Sequence, residues 1–304
     1  MFYSAARGAM GLSIVLLPLV PLPTLIAGFG WGNMAAIAAA VAGTVMLAFV
    51  VGPSFAVGYA LALAIPAIGI TYLLSLARYN SDGSLQDWFP VGRVMMAIAL
   101  YGAALPVLLI SLDGGSYSVM APEFTRFFKQ VSEQAPIGSS WRNMTDAQVQ
   151  SLVSLWVKLM PAVIASYWTI FIAVNVYLAG RVVRISGLLV RPWPNLHWLT
   201  YSPMFALALA LAFAGIAVGG SFRVLGTGVV GAFSIAFLLQ GLSVIHAIAH
   251  HRAANWILAA LYAALIIAGA LVMPIVAALG LAETLTRLRS RLVPIPPALP
   301  LGSI

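Results

Sequence analysis

Long apolar stretches without charge, separated by short polar breaks, run along almost the whole chain. They predict eight membrane-spanning helices, at residues 9–28, 33–51, 54–77, 93–112, 155–180, 203–219, 226–249 and 254–280. Their lengths are close to the roughly 20 residues that cross a hydrocarbon core of about 30 Å as an α-helix. Strands of membrane β-barrels have only about 10 residues, with polar positions that face the lumen. The pattern therefore predicts an all-α polytopic transmembrane helix bundle.

Prolines and glycines mark the weakest boundaries between these spans. Pro18, Pro21 and Pro23 interrupt the first run, and Gly52-Pro53 separates the second run from the third. Proline removes a backbone donor and clashes one turn back, so it makes a helix kink or start late. The alternative is a broken helix that lines a substrate cavity. The first run is longer than the apolar region of a signal peptide, and further spans follow it at once, so we expect no cleavage.

One sizeable polar insertion, residues 113–154, separates the fourth span from the fifth. Its apolar positions recur at helical spacing and predict helices at 122–134 and 146–160. Thr145 and Gln148 have the spacing of a capping box at the start of the second helix, which we expect to continue into span five with a bend near Pro161. The insertion is thus predicted to be an amphipathic hairpin. It either lies at the bilayer surface or covers the bundle as a lid.

We expect one transmembrane domain over residues 1–292, followed by a flexible, proline-rich tail at 293–304. Alternating loops place eight Lys and Arg residues on the amino-terminal side and six on the other. The first group includes Arg287, Arg289 and Arg291, and the second includes Arg181, Arg184 and Arg191. The positive-inside rule then favours both termini in the cytoplasm.

Composition supports a lipid environment and narrows the chemistry. The chain is 62% hydrophobic and only 7% charged, with a formal net charge of +8. Basic flanks fix orientation against anionic lipid, so this charge does not indicate a nucleic-acid partner. We expect a multi-pass protein of the cell inner (cytoplasmic) membrane. The chain has no cysteine, which excludes disulfides and cysteine-based metal sites.

Catalytic signatures are missing from the predicted spans. Every Asp and Glu falls outside them, whereas ion-coupled transporters usually place a carboxylate inside the bilayer. No set of nucleophile, base and orienting acid is indicated, and there is no glycine-rich phosphate loop. We therefore expect no enzyme activity, no catalytic residue and no cofactor.

Neutral polar residues inside the spans are the candidate ligand-binding groups: Asn175 in span five, and Gln240, Ser243 and His246 in span seven. The last three follow one another at a spacing of three, which places them along one helix face. Such a face either binds a small polar ligand or forms hydrogen bonds to a neighbouring helix. His246 and His250 are one turn apart, but two imidazoles without a further ligand make an incomplete metal site, so none is predicted.

Small residues recur at a spacing of four, as in Ala36 and Ala40 and in Ala260, Ala264 and Ala268. They allow close helix packing within the bundle or against another membrane protein. Trp193, His197, Trp198 and Tyr201 form a group typical of an aromatic belt at the membrane interface.

The carboxy-terminal third carries a family resemblance. The run from Phe237 to Ala247, then Tyr262, Pro274, Leu279-Gly280-Leu281 and the arginines that follow, resembles the YybS-like family of predicted bacterial membrane proteins (domain of unknown function 2232). Glu283 stands where that family often has Asp. The family is similar, remotely, to the substrate-binding S components of energy-coupling-factor vitamin transporters.

That resemblance implies a small-molecule-binding bundle that works with other membrane subunits and an ATPase module supplied by its partners. A fold relationship does not fix function. The alternative is a structural or scaffolding protein of the cell envelope without transport activity.

Overall fold

Helices build almost the whole structure, a computed structural model that describes residues 17–82, 84–112, 117–135, 139, 141–142, 144–252 and 254–292. Its α-helices are α1 (Leu22–Trp31), α2 (Asn33–Val50), α3 (Pro53–Ser75, with a π-helical turn at Ala60–Ala64), α4 (Val91–Leu112), α5 (Ala121–Gln134), α6 (Asp146–Ile185), α7 (Pro203–Val218), α8 (Gly220–His251), α9 (Asn255–Thr286) and α10 (Leu288–Leu292). Short 3-10 turns lie at Leu17–Leu19, Tyr117–Met120 and Leu196–Trp198.

The predicted class, a helical membrane bundle, is confirmed. Within the described residues, six helices are long and apolar enough to cross a membrane, namely α2, α3, α4, α6, α8 and α9, while α1 and α7 are shorter apolar helices. Each predicted span overlaps one of these eight, the first only from Leu22 onward, and the predicted number of spans is approximate. Residues 9–16 of the first span and the tail 293–304 lie outside the described residues. Large apolar side chains such as Phe49 and Ile266 are 87% and 86% exposed, as expected for lipid-facing positions.

Two of the prolines that interrupt the predicted spans lie at the starts of helices. Pro23 lies in the first turn of α1, and Pro53 is the first residue of α3. Proline is tolerated there because the first backbone N–H groups of a helix have no intrahelical acceptor. Gly52 has φ +133°, a conformation that L side chains rarely adopt, so it turns the chain between α2 and α3.

A small β-hairpin, absent from the all-α prediction, fills the gap between α3 and α4. Strands β1 (Ala77–Tyr79) and β2 (Leu85–Trp88) pair antiparallel, with Ala77 opposite Trp88. At the turn, the Ser84 backbone N–H donates to the Asp82 carboxylate over 2.8 Å. Strands this short give no hydrophobic periodicity to detect.

The polar insertion forms the two predicted helices. α5 matches the first, and α6 starts at Asp146 and continues through Pro161 to Ile185. The Thr145 backbone N–H donates to Gln148 Oε1 over 2.8 Å, and the Gln148 N–H donates to Thr145 Oγ1 over 3.3 Å, which completes the capping box. Phe128 packs with buried Val149 and Val153, so the insertion has a small core of its own.

Helix α8 is the centre of the bundle and packs against α4, α6, α7 and α9. Its contact with α9 brings the two backbones together at Gly241 and Gly280. A Cβ atom on Gly241 would lie 1.9 Å from the Val276 carbonyl oxygen, and one on Gly280 would lie 1.9 Å from that of Phe237. Both positions therefore require glycine. Gly226, Gly228 and Gly231 of α8 approach carbonyl oxygens of α7, α4 and α6 in the same way.

Helix α9 is sharply bent. On one side of the bend, the Tyr262 hydroxyl lies 3.2 Å from His246 Nε2 of α8. On the other side, Arg289 in the following turn donates to Ser243 Oγ of α8 over 2.9 Å. A straight helix would carry residue 286 about 36 Å away from Tyr262. Ala268 breaks the helix with φ −134° and ψ 38°, so both arms return to the carboxy-terminal end of α8.

This bend corrects one expectation about the sides of the bundle. Arg289 donates hydrogen bonds to the carbonyl oxygens of His197 and Leu199, in the loop that follows α6. Residues 287–291 therefore lie at the same end as residues 181–202, and the expectation that they lie on opposite sides is wrong. It depended on a straight eighth span, and the length of an apolar run does not report a bend.

Candidate functional site

A cleft of about 940 Å³, here called the apolar cleft, opens at the end of the bundle where α8 ends. Residues of α1, α3, α6 and α8 line it together with the loop between α6 and α7. Its aromatic lining residues are Phe29, Trp31, Trp88, Tyr177, Trp193 and Tyr262. Its polar side chains are few: Thr71, Ser75, Arg191, His197, Ser243 and His246.

A second cavity of about 700 Å³, here called the polar cavity, adjoins it. Its polar lining residues are Arg93, Arg191, Asn195, Thr200 and Ser202. Val91, Arg191, Pro194, Leu196 and Leu199 line both cavities. The two spaces therefore meet at the loop between α6 and α7, with Arg191 at the junction.

The structure divides the four candidate ligand-binding residues into two pairs. Gln240 and Asn175 are outside the lining of either cavity. Gln240 Oε1 accepts a 2.8 Å hydrogen bond from Thr284 Oγ1 of α9. Asn175 Nδ2 donates to the carbonyl oxygens of Pro18 and Phe171 over 2.7 and 2.8 Å. These two side chains link helices, as polar groups in membrane bundles commonly do.

Ser243 and His246 line the apolar cleft. Ser243 Oγ accepts a hydrogen bond from Arg289, and His246 Nδ1 lies 2.8 Å from the carbonyl oxygen of Leu242. Since a carbonyl oxygen only accepts, Nδ1 carries the proton in neutral His246. Its Nε2 then accepts from the Tyr262 hydroxyl. Each residue also contacts a neighbouring helix, so the geometry fits both the ligand-contact and the structural interpretation. Ligand contact remains a prediction.

A buried ion pair, missed by sequence reasoning, positions the loop that lines both cavities. Arg289 Nη2 lies 3.1 Å from Glu283 Oε1, and the Arg289 backbone N–H donates to Glu283 Oε2 over 2.8 Å. Besides its bonds to the loop carbonyls, Arg289 stacks over the Trp198 ring at 5.0 Å. Burial lowers the pKa of Arg289, and the neighbouring Glu283 carboxylate raises it. A separation of six residues is not a helical pairing distance, so no local spacing indicates this pair.

Three histidines cluster beside the cleft. The His197 ring lies 6.1 Å from that of His246 and 5.8 Å from that of His250. Burial lowers the pKa of His197, and the charges of His246, His250 and Arg289 lower it further. In the described part of the chain, no group of three or more His, Cys, Asp or Glu residues is arranged to hold a metal ion.

Arg191 is a partly buried cation at the junction of the cavities. Its Nη1 makes a long 3.4 Å hydrogen bond to the Leu74 carbonyl oxygen, and its guanidinium lies 5.8 Å from the Trp88 ring. Burial lowers its pKa, because desolvation disfavours the charged form. The ion pairs among the described residues are Arg126–Glu123, Lys129–Asp146 and Arg289–Glu283, and none includes Arg191.

The described residues of the polar insertion line neither cavity. The long helix α6 separates it from the loop that does. The described part of the insertion therefore does not cover the two cavities.

Comparison with known protein families extends the resemblance seen in the carboxy-terminal third. Residues 10–284 match the model of a family described as predicted membrane protein (DUF2232), and the chain belongs to this family. The comparisons with curated proteins and with solved structures give no match. The family description names a membrane location and no activity.

Proposed function

We propose that this protein captures a small molecule in the apolar cleft and catalyses no reaction itself. The cleft carries this proposal. Its volume of about 940 Å³ lies at the upper end of the range of roughly 300–1,000 Å³ that is typical of ligand pockets. A mostly apolar and aromatic wall with a few convergent polar groups, here Arg191, Ser243 and His246, is also typical of such sites.

More specifically, we propose that the chain is a binding subunit of an inner-membrane transporter. Partner subunits would supply the ATPase module. The remote similarity of the family to energy-coupling-factor S components, expected from the sequence resemblance, motivates this role. The described lining residues of the cleft include no carboxylate, and the buried Glu283 is paired with Arg289, which supports capture without ion coupling through an unpaired buried acid.

A scaffolding role is the second candidate, favoured by the small-residue stripe on the first arm of α9. Ala260 is exposed, and Ala264 and Ala268 are half-buried, whereas Ala36 and Ala40 are buried within the bundle. A stripe of small residues that is not covered allows another membrane helix to approach closely.

A pair of matched substitutions tests the binding role. Ala173 on α6 lines the cleft, and Ala210 on α7 is exposed outside it. We expect Ala173→Phe to fill the cleft and Ala210→Phe to leave it open. Mass spectrometry of small molecules extracted from protein purified from native membranes should then show a species retained by wild type and Ala210→Phe but lost from Ala173→Phe.

Size-exclusion chromatography checks that both variants stay folded. An identical set of bound molecules in wild type and both variants contradicts capture in the cleft. Loss of a copurifying membrane protein after substitution of Ala260 and Ala264 by Leu, without any cleft ligand, favours the scaffolding role.

A further inference from the structure

The two cavities share five lining residues, Arg191 among them, and differ in chemistry. The apolar cleft is walled by aromatic and aliphatic side chains. The polar cavity presents two arginines, an amide and two hydroxyl side chains. A ligand that fills both spaces therefore needs an apolar part and a polar part joined end to end.

The guanidinium at the junction has no carboxylate counter-ion among the residues that the structure describes. Arg191 is partly buried, and no carboxylate among the described residues pairs with it. A buried or partly buried charge is usually paired, because desolvation is costly. The unpaired Arg191 therefore favours an anionic ligand.

The rest of the polar cavity adds donors suited to phosphate. Arg93 also lines it and is in no described ion pair. Ser202 is the N-cap of α7: its Oγ accepts from the Met204 N–H and its carbonyl oxygen accepts from the Phe205 N–H, so the first turn of α7 adds a hydroxyl and the helix dipole, and no free backbone donor. Guanidinium groups and hydroxyls beside the positive end of a helix dipole suit an anion with several acceptor oxygens.

The surroundings match the head-group region of a bilayer. Arg181 and Arg184 stack on the Trp193 ring at 5.7 and 5.5 Å, close to the same loop. Arginines and tryptophans gather where a membrane meets water and anionic head groups. An amphiphile in the membrane would thus present its charge at the level of the polar cavity.

Resting on the binding function proposed above, we propose that the ligand is an anionic amphiphile with a phosphate head group. The phosphate lies in the polar cavity against Arg191, and the hydrocarbon chain occupies the apolar cleft. Arg93 and the amino-terminal end of α7 complete the head-group site.

Calorimetric titration of the protein in nanodiscs tests this with three probes: dodecyl phosphate, 1-dodecanol and inorganic phosphate. Empty nanodiscs correct for partition of the probes into lipid. We expect saturable binding of dodecyl phosphate, weaker binding of dodecanol and no measurable binding of inorganic phosphate. Arg191→Gln should weaken dodecyl phosphate binding about 10- to 100-fold, the range for a lost charged hydrogen bond, and leave dodecanol binding unchanged.

Arg181→Gln is the matched control, because Arg181 also stacks on an aromatic ring but lines neither cavity. Equal binding of dodecyl phosphate and dodecanol, insensitive to Arg191→Gln, overturns the anionic ligand and leaves small-molecule capture standing. Inorganic phosphate that binds as tightly as dodecyl phosphate identifies free phosphate as the ligand and overturns the amphiphile. If no probe binds but the Ala173→Phe comparison still shows a retained molecule, the phosphate amphiphile is overturned. Small-molecule capture in the apolar cleft then still stands.

Discussion

Glu283 Oε1 and Arg289 Nη2 lie 3.1 Å apart in an ion pair whose side chains are 4% and 1% exposed. Arg289 also donates to the carbonyl oxygens of His197 and Leu199. One guanidinium therefore holds the end of α9 against the loop that lines both cavities. The shape of the candidate site depends on this contact.

We predict that Glu283→Gln destabilises the fold by about 3–5 kcal/mol, because it leaves the buried Arg289 charge without its partner. Thermal unfolding in detergent measures the effect, with the exposed Arg291→Gln as a control that should change little. An unchanged midpoint for Glu283→Gln would show that this ion pair does not support the fold.

The crossing of α8 and α9 gives a second prediction. A Cβ atom at Gly241 would meet the Val276 carbonyl oxygen at 1.9 Å, so Gly241→Ala must push the helices apart. We expect the free energy of unfolding to fall by about 1–3 kcal/mol, the usual range for overpacking. Gly69→Ala is the control, since no atom lies within 4 Å of its added Cβ. Equal unfolding midpoints for the two variants would contradict this crossing.

The bend in α9 predicts which loops share a side of the membrane. The chain has no cysteine, so single cysteines report accessibility without background. We expect Ser186→Cys and Ser290→Cys to react with an impermeant maleimide from one side, and Gln130→Cys in the insertion to react from the other. Labelling of Ser290→Cys from the same side as Gln130→Cys would show that α9 crosses straight through.

The same experiment in intact cells fixes the orientation. Of the described Lys and Arg residues outside the predicted spans or at their ends, four then lie at the insertion end and nine at the cavity end. The positive-inside rule then places the cavity end in the cytoplasm. We therefore expect the insertion cysteine, and not the other two, to react from outside.

His197 makes stability depend on pH. Its folded-state pKa is lowered, first by burial and then by His246, His250 and Arg289, so the folded chain binds this proton less tightly than the unfolded chain. Stability should therefore fall as the pH drops below about 6.5, the unperturbed value. His197→Asn should flatten this decline in unfolding midpoint, whereas His251→Asn should not. If the unfolding midpoints of wild type and His197→Asn decline in parallel as the pH falls, His197 is not the origin of the pH dependence.

Much of the fold was accessible from sequence. Charge-free length located the apolar helices, and the Thr145 capping box located the start of α6, because both signals are local. The bend at Ala268 was missed. Gly269 follows it and Pro274 lies further on, but such breakers do not give the direction in which a helix turns.

The candidate site was only partly predictable, for a geometric reason. At a helical period of 3.6, residues six apart lie about 120° apart around the axis. Gln240 therefore bonds to Thr284 on the second arm of α9, whereas His246 contacts Tyr262 on the first arm, despite their spacing of threes. The position of Arg191 was not foreseeable either. Its role depends on how a loop folds back between two cavities, and no local pattern in the chain encodes that.

The most direct test of ligand capture is a cryo-electron microscopy map of the protein in nanodiscs made from its native membrane. We predict elongated non-protein density in the apolar cleft beside Ser243 and His246, with its head at Arg191. A cleft filled by residues 1–16 of the chain itself, or closed by movement of α9 against α6, would contradict the account.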